Sequence, residues 1–146
     1  MLTAYQKRID LYQELLKNRD HKISGIENTV AVLAKKFKMA IVTSSPRLDF
    51  DLIHHDNVLS SYMDFVLVRE DYKLSKPNPE PYLLALQKFN ARPEEVIVIE
   101  DSQRGLTSAT KAGIDCIIIE NNFVRGHDFS AALKVVKNHS ELLKIL

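Results

Sequence analysis

Val96–Leu106 reads VIVIEDSQRGL. Four β-branched aliphatic residues end in two adjacent carboxylates, Glu100 and Asp101, with a small polar residue and then a glycine close behind. A short, continuously apolar run of this kind marks a strand buried on both faces. Two like charges at its end repel each other, so a positive group must stand beside them, supplied by the chain or bound by it.

The pattern repeats on either side. MAIVT (39–43) is an apolar run that ends in hydroxyls, DFVLV places a strand at 65–68, and DCIIIE places another at 115–120. Between these runs the apolar residues recur at helical spacing. Helices are predicted over 3–17 (Tyr5, Ile9, Tyr12, Leu15 and Leu16 on one stripe), 27–37, 48–55, from about Pro79 through PYLLALQKF, and over QRGLTSATKAG up to Gly113. NRDHKISG breaks the first helix, NNFVRGHDFS reads as a loop, and one or two helices are expected to close the chain at Leu146. Strands alternating with helices predict an α/β fold: a three-layer, Rossmann-like parallel sheet covered on both faces. In such sheets ligands bind at the carboxyl ends of the strands. The residues to read for chemistry are therefore Thr43-Ser44-Ser45, Arg69-Glu70-Asp71, Glu100-Asp101-Ser102 and Glu120-Asn121-Asn122.

Composition excludes several classes. With 146 residues, 45% hydrophobic and 27% charged, the chain is long enough for one core and too apolar for disorder. A net charge of +1 gives no electrostatic reason to expect nucleic acid or an anionic membrane surface. No apolar run approaches the roughly 20 residues that span a bilayer, and the N-terminus is too polar for a secretory signal. The single cysteine, Cys116, lies in an apolar run and reads as a buried, inert thiol, in keeping with a cytoplasmic protein.

Three of the strand-end features belong together chemically. Thr43 supplies a hydroxyl, with Ser44 and Ser45 beside it, and the next helix could present amides to an anion. Lys76, in KLSKPNPEPY, is held by neighbouring prolines and would neutralise a phosphate or a developing oxyanion. Glu100 and Asp101 are hard oxygen donors that suit Mg²⁺. Taken singly, each has a plainer reading: a turn with an N-cap, a solvated lysine, acids at a helix N-terminus. His54-His55 reads as an exposed helical pair, since neighbours about 100° apart on a helix do not share a metal.

Here the sequence resembles the haloacid dehalogenase-like hydrolases, in the branch of the β-phosphoglucomutase-like and phosphoglycolate phosphatase-like enzymes. MAIVTSS is similar to that family's second motif, KLSKPNPEPYLLAL to its third and VIVIEDSQRGLTSATKAGI to its fourth, and the likeness runs from about Leu11 to Leu133. The resemblance implies that Thr43, with Ser44 and Ser45, binds phosphate, that Lys76 stabilises the phosphoryl group and its nucleophile, and that Asp101 and Glu100 hold Mg²⁺. The substrate implied is a small phosphorylated metabolite, with no nucleic acid or membrane as partner. An unrelated domain, such as a phosphate receiver with Asp101 as acceptor, fits KPNPEPY and EDSQRGL less well.

The family's first motif, Asp-x-Asp-x-Thr/Val after an apolar strand, has no counterpart here. NRDHKIS and RLDFDLI contain aspartates, but neither follows such a strand. The first helix resembles the last helix of the family's helical cap. The expectation is a remnant of that cap over 1–21 and a partial core over 22–146, with the strand that bears the nucleophile missing between the Thr43 and Glu100 strands. The sheet would then close the gap, recruit a strand from a partner or second copy, or be marginally stable. An enzyme lacking its nucleophile should be inactive alone. The alternatives are a non-catalytic phosphate- or partner-binding domain and one half of a split enzyme.

Overall fold

The computed structural model describes residues 3–17, 22–56, 58–124 and 126–146. Its helices are α1 (Ala4–Lys17), α2 (Ile26–Leu33), α3 (Arg47–Ile53), α4 (Glu80–Phe89) and α5 (Gln103–Lys111). Its strands are β1 (Ala40–Val42), β2 (Phe65–Leu67), β3 (Ile97–Glu100), β4 (Asp115–Ile119) and β5 (Lys134–Val136). Single 3₁₀ turns lie at Ser60–Tyr62, Arg69–Asp71 and Pro93–Glu95, and a longer one at His139–Lys144. Of the break expected over 18–25, residues 22–25 lie outside any helix, while residues 18–21, and with them the boundary expected between 21 and 22, fall outside the described residues.

Every strand pair is parallel, as the continuously apolar runs predict. β4 shows why. Cys116 and Ile118 join Tyr82 and Leu86 of α4 and Leu106 and Ala109 of α5 in one core. Ile117, between them in sequence, joins Leu33 of α2 with Val136 and Leu142 in another. Ile117 and Ile118 are both fully buried, and removing each from water contributes about 1.5–3 kcal/mol. A strand covered on both faces cannot alternate polar and apolar residues.

Two expectations fail. The second helix stops at Leu33 rather than Phe37, because Lys35 and Lys36 donate to the carbonyls three residues back, at Val32 and Leu33, which tightens the chain into a turn. The C-terminal part is not all helix. KVV forms β5 beside β4, pairing Ile118 with Val135, and its Val136 closes the second core. A lysine and two valines are too short a run to separate strand from helix by period. α1 covers Ala4–Lys17 as predicted, yet on its stripe Leu16 is buried while Tyr12 and Leu15 are exposed. It lies on α3, where Gln13 donates to Asp49 at 3.1 Å.

The sheet is divided. β1 pairs with β2, and β3 with β4 and then β5, and among the described residues no ladder joins β1 to β3. The gap that the resemblance led us to expect is therefore present and unclosed. A groove of about 750 Å³ runs between the two halves, with Val42 and Ile99 on its walls, Leu33 of α2 on one side and Phe89 of α4 on the other.

Candidate active site

Lys76 spans the mouth of the groove. The proline-rich turn sends its ammonium inward, where it donates to the Val42 carbonyl at the end of β1 (3.0 Å) and to Glu100 Oε1 at the end of β3 (2.5 Å). The two side chains are only 11% and 9% exposed. The positive group demanded by the adjacent acids is thus one that the chain itself supplies.

Glu100 is fully engaged. Oε1 also accepts from the Tyr82 hydroxyl at 2.7 Å, and Oε2 accepts from the Asp101 amide at 3.1 Å and the Ser102 hydroxyl at 3.3 Å. Burial pushes this carboxyl up, but the Lys76 charge and the hydrogen bonds from Lys76, Tyr82 and the Asp101 amide more than offset it and hold it below the usual range. Gly105 makes room for it. A Cβ at 105 would overlap the Glu100 carboxylate, so the glycine of EDSQRG answers a close approach, not a turn. Ser102 caps α5 by accepting from the Gly105 amide at 3.1 Å.

Asp101 points the other way. It is exposed, with Asn121 Nδ2 3.3 Å from its Oδ2. Burial, and then the Glu100 charge, raise its carboxyl above the ordinary value. The two acids of the motif therefore differ in environment: one is neutralised inside by Lys76, and the other faces out beside Asn121.

Thr43 follows directly on Val42, to which Lys76 is bonded, so the hydroxyl and the ammonium share the same sheet edge. Thr43 Oγ1 accepts from the Ser45 amide at 3.1 Å, and the Thr43 carbonyl accepts from the buried Tyr72 hydroxyl at 2.7 Å. Ser44 is exposed and Ser45 half-buried. The N-terminus of α3, expected to face an anion, is occupied from within: Glu70 accepts from the Arg47 amide through both oxygens, at 3.1 and 3.0 Å. The Arg69-Glu70-Asp71 strand end is accounted for in the same way, since Arg69 donates to the Tyr72 and Lys73 carbonyls and Asp71 accepts from the Val68 amide. Among the described residues, no three of His, Cys, Asp and Glu are grouped to hold a metal. His54 stacks on Phe50, with ring centroids 4.4 Å apart.

Sequence reasoning missed the residues that hold Lys76 and Glu100 in place. Arg104 donates to the Lys76 carbonyl at 2.5 Å, and the wholly buried Ser108 donates to the Asn78 carbonyl at 2.6 Å, so α5 clamps the turn from two successive helical steps. Tyr82 was legible only as an apolar residue of α4. A buried tyrosine needs a partner for its hydroxyl, and that was the available signal.

Residues 3–119 match the sequence profile of the haloacid dehalogenase-like hydrolases. The chain belongs to this family. A phosphorylated carbohydrates phosphatase of Thermotoga maritima is 34% identical over 114 residues, covering 78% of this chain and 51% of that protein. A phosphoglycolate phosphatase of Photorhabdus laumondii is 28% identical over 138 residues, covering 92% and 59%. The solved structure of a phosphatase of this family from Thermococcus onnurineus superposes with a TM-score of 0.79 at 28% identity, covering 92% of this chain and 63% of that one. The chain spans about half the length of the first curated relatives it matches. No described helix of this haloacid dehalogenase-like chain is long and apolar enough to cross a membrane.

Proposed function

We propose that the chain forms the electrophile-binding half of a phosphohydrolase or phosphomutase site for small phosphorylated metabolites. The carrying observation is the Lys76 ammonium held between the ends of β1 and β3, beside Thr43 and Asp101. An anchored cation and a hydroxyl at the edge of a parallel sheet suit the oxygens of a transferring phosphoryl group. The phosphatases among its relatives support that class of reaction.

The donor chemistry fits Mg²⁺, which takes one or two carboxylates and keeps waters and phosphate oxygens for the rest. Asp101 would hold it, because its carboxylate faces out at the strand end, while Glu100 is engaged with Lys76 and contributes negative potential from behind. When bound, the ion neutralises charge on the phosphoryl oxygens. Thr43 and Ser44 bind and orient the group, Ser45 braces Thr43 through its amide, and Lys76 offsets the charge that develops on it.

In the reading that the resemblance suggests, the attacking carboxylate comes from outside residues 1–146, and α1 is the remnant of a cap. The chain alone then binds without turning over. Mixed with p-nitrophenyl phosphate and Mg²⁺, it should release no more nitrophenol than its Asp101→Asn variant. Calorimetry should show Mg²⁺ binding that the same substitution abolishes. Robust turnover that depends on Asp101 would overturn the half-site reading, and Mg²⁺ binding unchanged in Asp101→Asn would overturn the metal assignment.

A further inference from the structure

We propose that Asn121 is a positioning residue for Asp101: its side-chain amide aims the outward carboxylate at a divalent cation and does so without neutralising it. The inference rests on the assignment of Mg²⁺ to Asp101 and goes beyond it to a residue outside the EDSQRGL motif.

The two acids are held by different means. Glu100 has donors on both oxygens, and one of those donors is the Lys76 ammonium. Among the described residues, the Asp101 carboxylate accepts from Asn121 Nδ2, at Oδ2 and 3.3 Å, and its Oδ1 accepts from none. Nδ2 also lies 3.5 Å from the Asp101 carbonyl, so it spans the main chain and the side chain of the same residue. An exposed aspartate without a partner spreads over its staggered rotamers, and a donor selects among them. A carboxamide carries no charge, so the group it fixes stays an anion. A lysine or arginine in its place would compete with the cation, as Lys76 does at Glu100.

Asn121 is itself fixed. The ladder pairs Ile118 with Glu100, which sets the residues that follow β4 beside those that follow β3. Asn121 Oδ1 accepts from the Phe123 amide at 2.9 Å. Only the oxygen can accept, so the Nδ2 end is the one that faces Asp101. Phe123 is 97% exposed, and its ring therefore contributes almost no packing to that turn. Farther along, His127 Nδ1 accepts from the Gln103 amide, and the Asp128 amide donates to Gln103 Oε1, both at 3.2 Å. The start of α5 thus holds the chain that leaves β4 at two places, Asp101 and Gln103. Hydrogen-bond partners behind a metal-ligating carboxylate typically carry a factor of about 10–100 in metal affinity.

The test titrates the whole chain with MgCl₂ at constant ionic strength and follows the amide signals of Asp101 and Asn121 by NMR. The wild type should saturate in the millimolar range, and Asp101→Asn should abolish the response. Asn121→Ala should bind Mg²⁺ about tenfold more weakly. Asn121→Asp should bind it about threefold more tightly, because a second carboxylate about 5 Å from a divalent ion attracts it even through water. Opposite signs mark a residue beside the ion, whereas a merely structural role would weaken both variants. Asn121 is only half-buried, so both should keep the wild-type circular dichroism. Without metal, Asp101→Asn should shift the Asn121 side-chain amide protons, which report the hydrogen bond alone. Equal affinity in the wild type and Asn121→Ala, or weaker binding in Asn121→Asp, would overturn the positioning role and leave the metal at Asp101. Asn121 amide protons unmoved by Asp101→Asn would overturn it as well. Mg²⁺ binding that is absent from the wild type, or unchanged in Asp101→Asn, would overturn the metal assignment and this inference with it.

Discussion

Gly105, in the first turn of α5, lies so close to the Glu100 carboxylate that a β-carbon there would occupy the carboxylate's place. The carboxylate cannot swing aside without giving up Lys76, Tyr82, the Asp101 amide and Ser102. In an ordinary helix, replacing glycine by alanine stabilises by about 0.5–1 kcal/mol. Here Gly105→Ala should destabilise by about 1–3 kcal/mol, the usual cost of overpacking. Urea unfolding of the two proteins decides the sign, and a stabilised variant would mean the carboxylate is loosely held.

The Lys76–Glu100 pair should respond as a buried ion pair. Lys76→Met leaves a carboxylate buried without its cation and should cost about 3–5 kcal/mol, while Lys76→Met with Glu100→Leu should recover much of that loss. The pH dependence follows from the depressed Glu100 carboxyl. Its contribution is complete above the ordinary value of 4.5 and is lost as pH falls through the lower folded value. In Lys76→Met burial dominates, the folded value rises, and stability should instead increase on acidification through that range. Unfolding midpoints from pH 3 to 7 would show the reversal, and parallel profiles would refute it.

Ser108 donates to the Asn78 carbonyl from a fully buried position on α5. Ser108→Ala keeps the volume nearly constant and leaves that carbonyl without its partner, at a cost of about 1–3 kcal/mol. Hydrogen exchange should quicken at residues 73–80, which include Lys76, and leave β5 unaffected. Uniform acceleration across the chain would show that the clamp is not local.

Cys116 should be silent in the folded protein. It is 2% exposed, and burial, then the Glu100 charge, push its thiol up to about 12 from 9.0. A thiol reagent should label it only at the rate of unfolding. The raised folded value means that stability is complete below pH 9 and is lost as pH rises from there toward 12, at about 1.4 kcal/mol per unit for this one proton. Tyr82, raised by burial and by Glu100, adds to the loss at higher pH. Cys116→Ala should flatten the alkaline slope between pH 9 and 10, and an unchanged slope would exclude the thiol as its source.

The strands and helices around the site were legible because their residues differ in period: Ile97–Glu100 is continuously apolar up to its final acid, and α4 carries Tyr82, Ala85 and Leu86 on one buried face. β5 was not legible, because KVV acquires its strand character from Ile117–Ile119 beside it. Among the site residues, Thr43, Glu100 and Asp101 stood out as charged or hydroxyl-bearing residues at strand ends, and Lys76 as a cation in a proline-rich turn. Arg104 and Ser108 did not, since their partners, the Lys76 and Asn78 carbonyls, lie 28 and 30 positions away.

By itself the sequence determined that buried parallel strands would end in a hydroxyl and in two carboxylates, and that a positive group would have to answer the latter. Composition and period carry that much, because burial on both faces leaves no alternative pattern. Only the tertiary structure decided how the two acids divide their work. Glu100 turns inward to Lys76 and Tyr82 over a glycine, and Asp101 turns outward beside Asn121. Only it decided that the gap between β1 and β3 stays open, with Lys76 across its mouth. Side-chain direction and strand adjacency depend on which distant segments meet, and no local run of residues encodes that meeting.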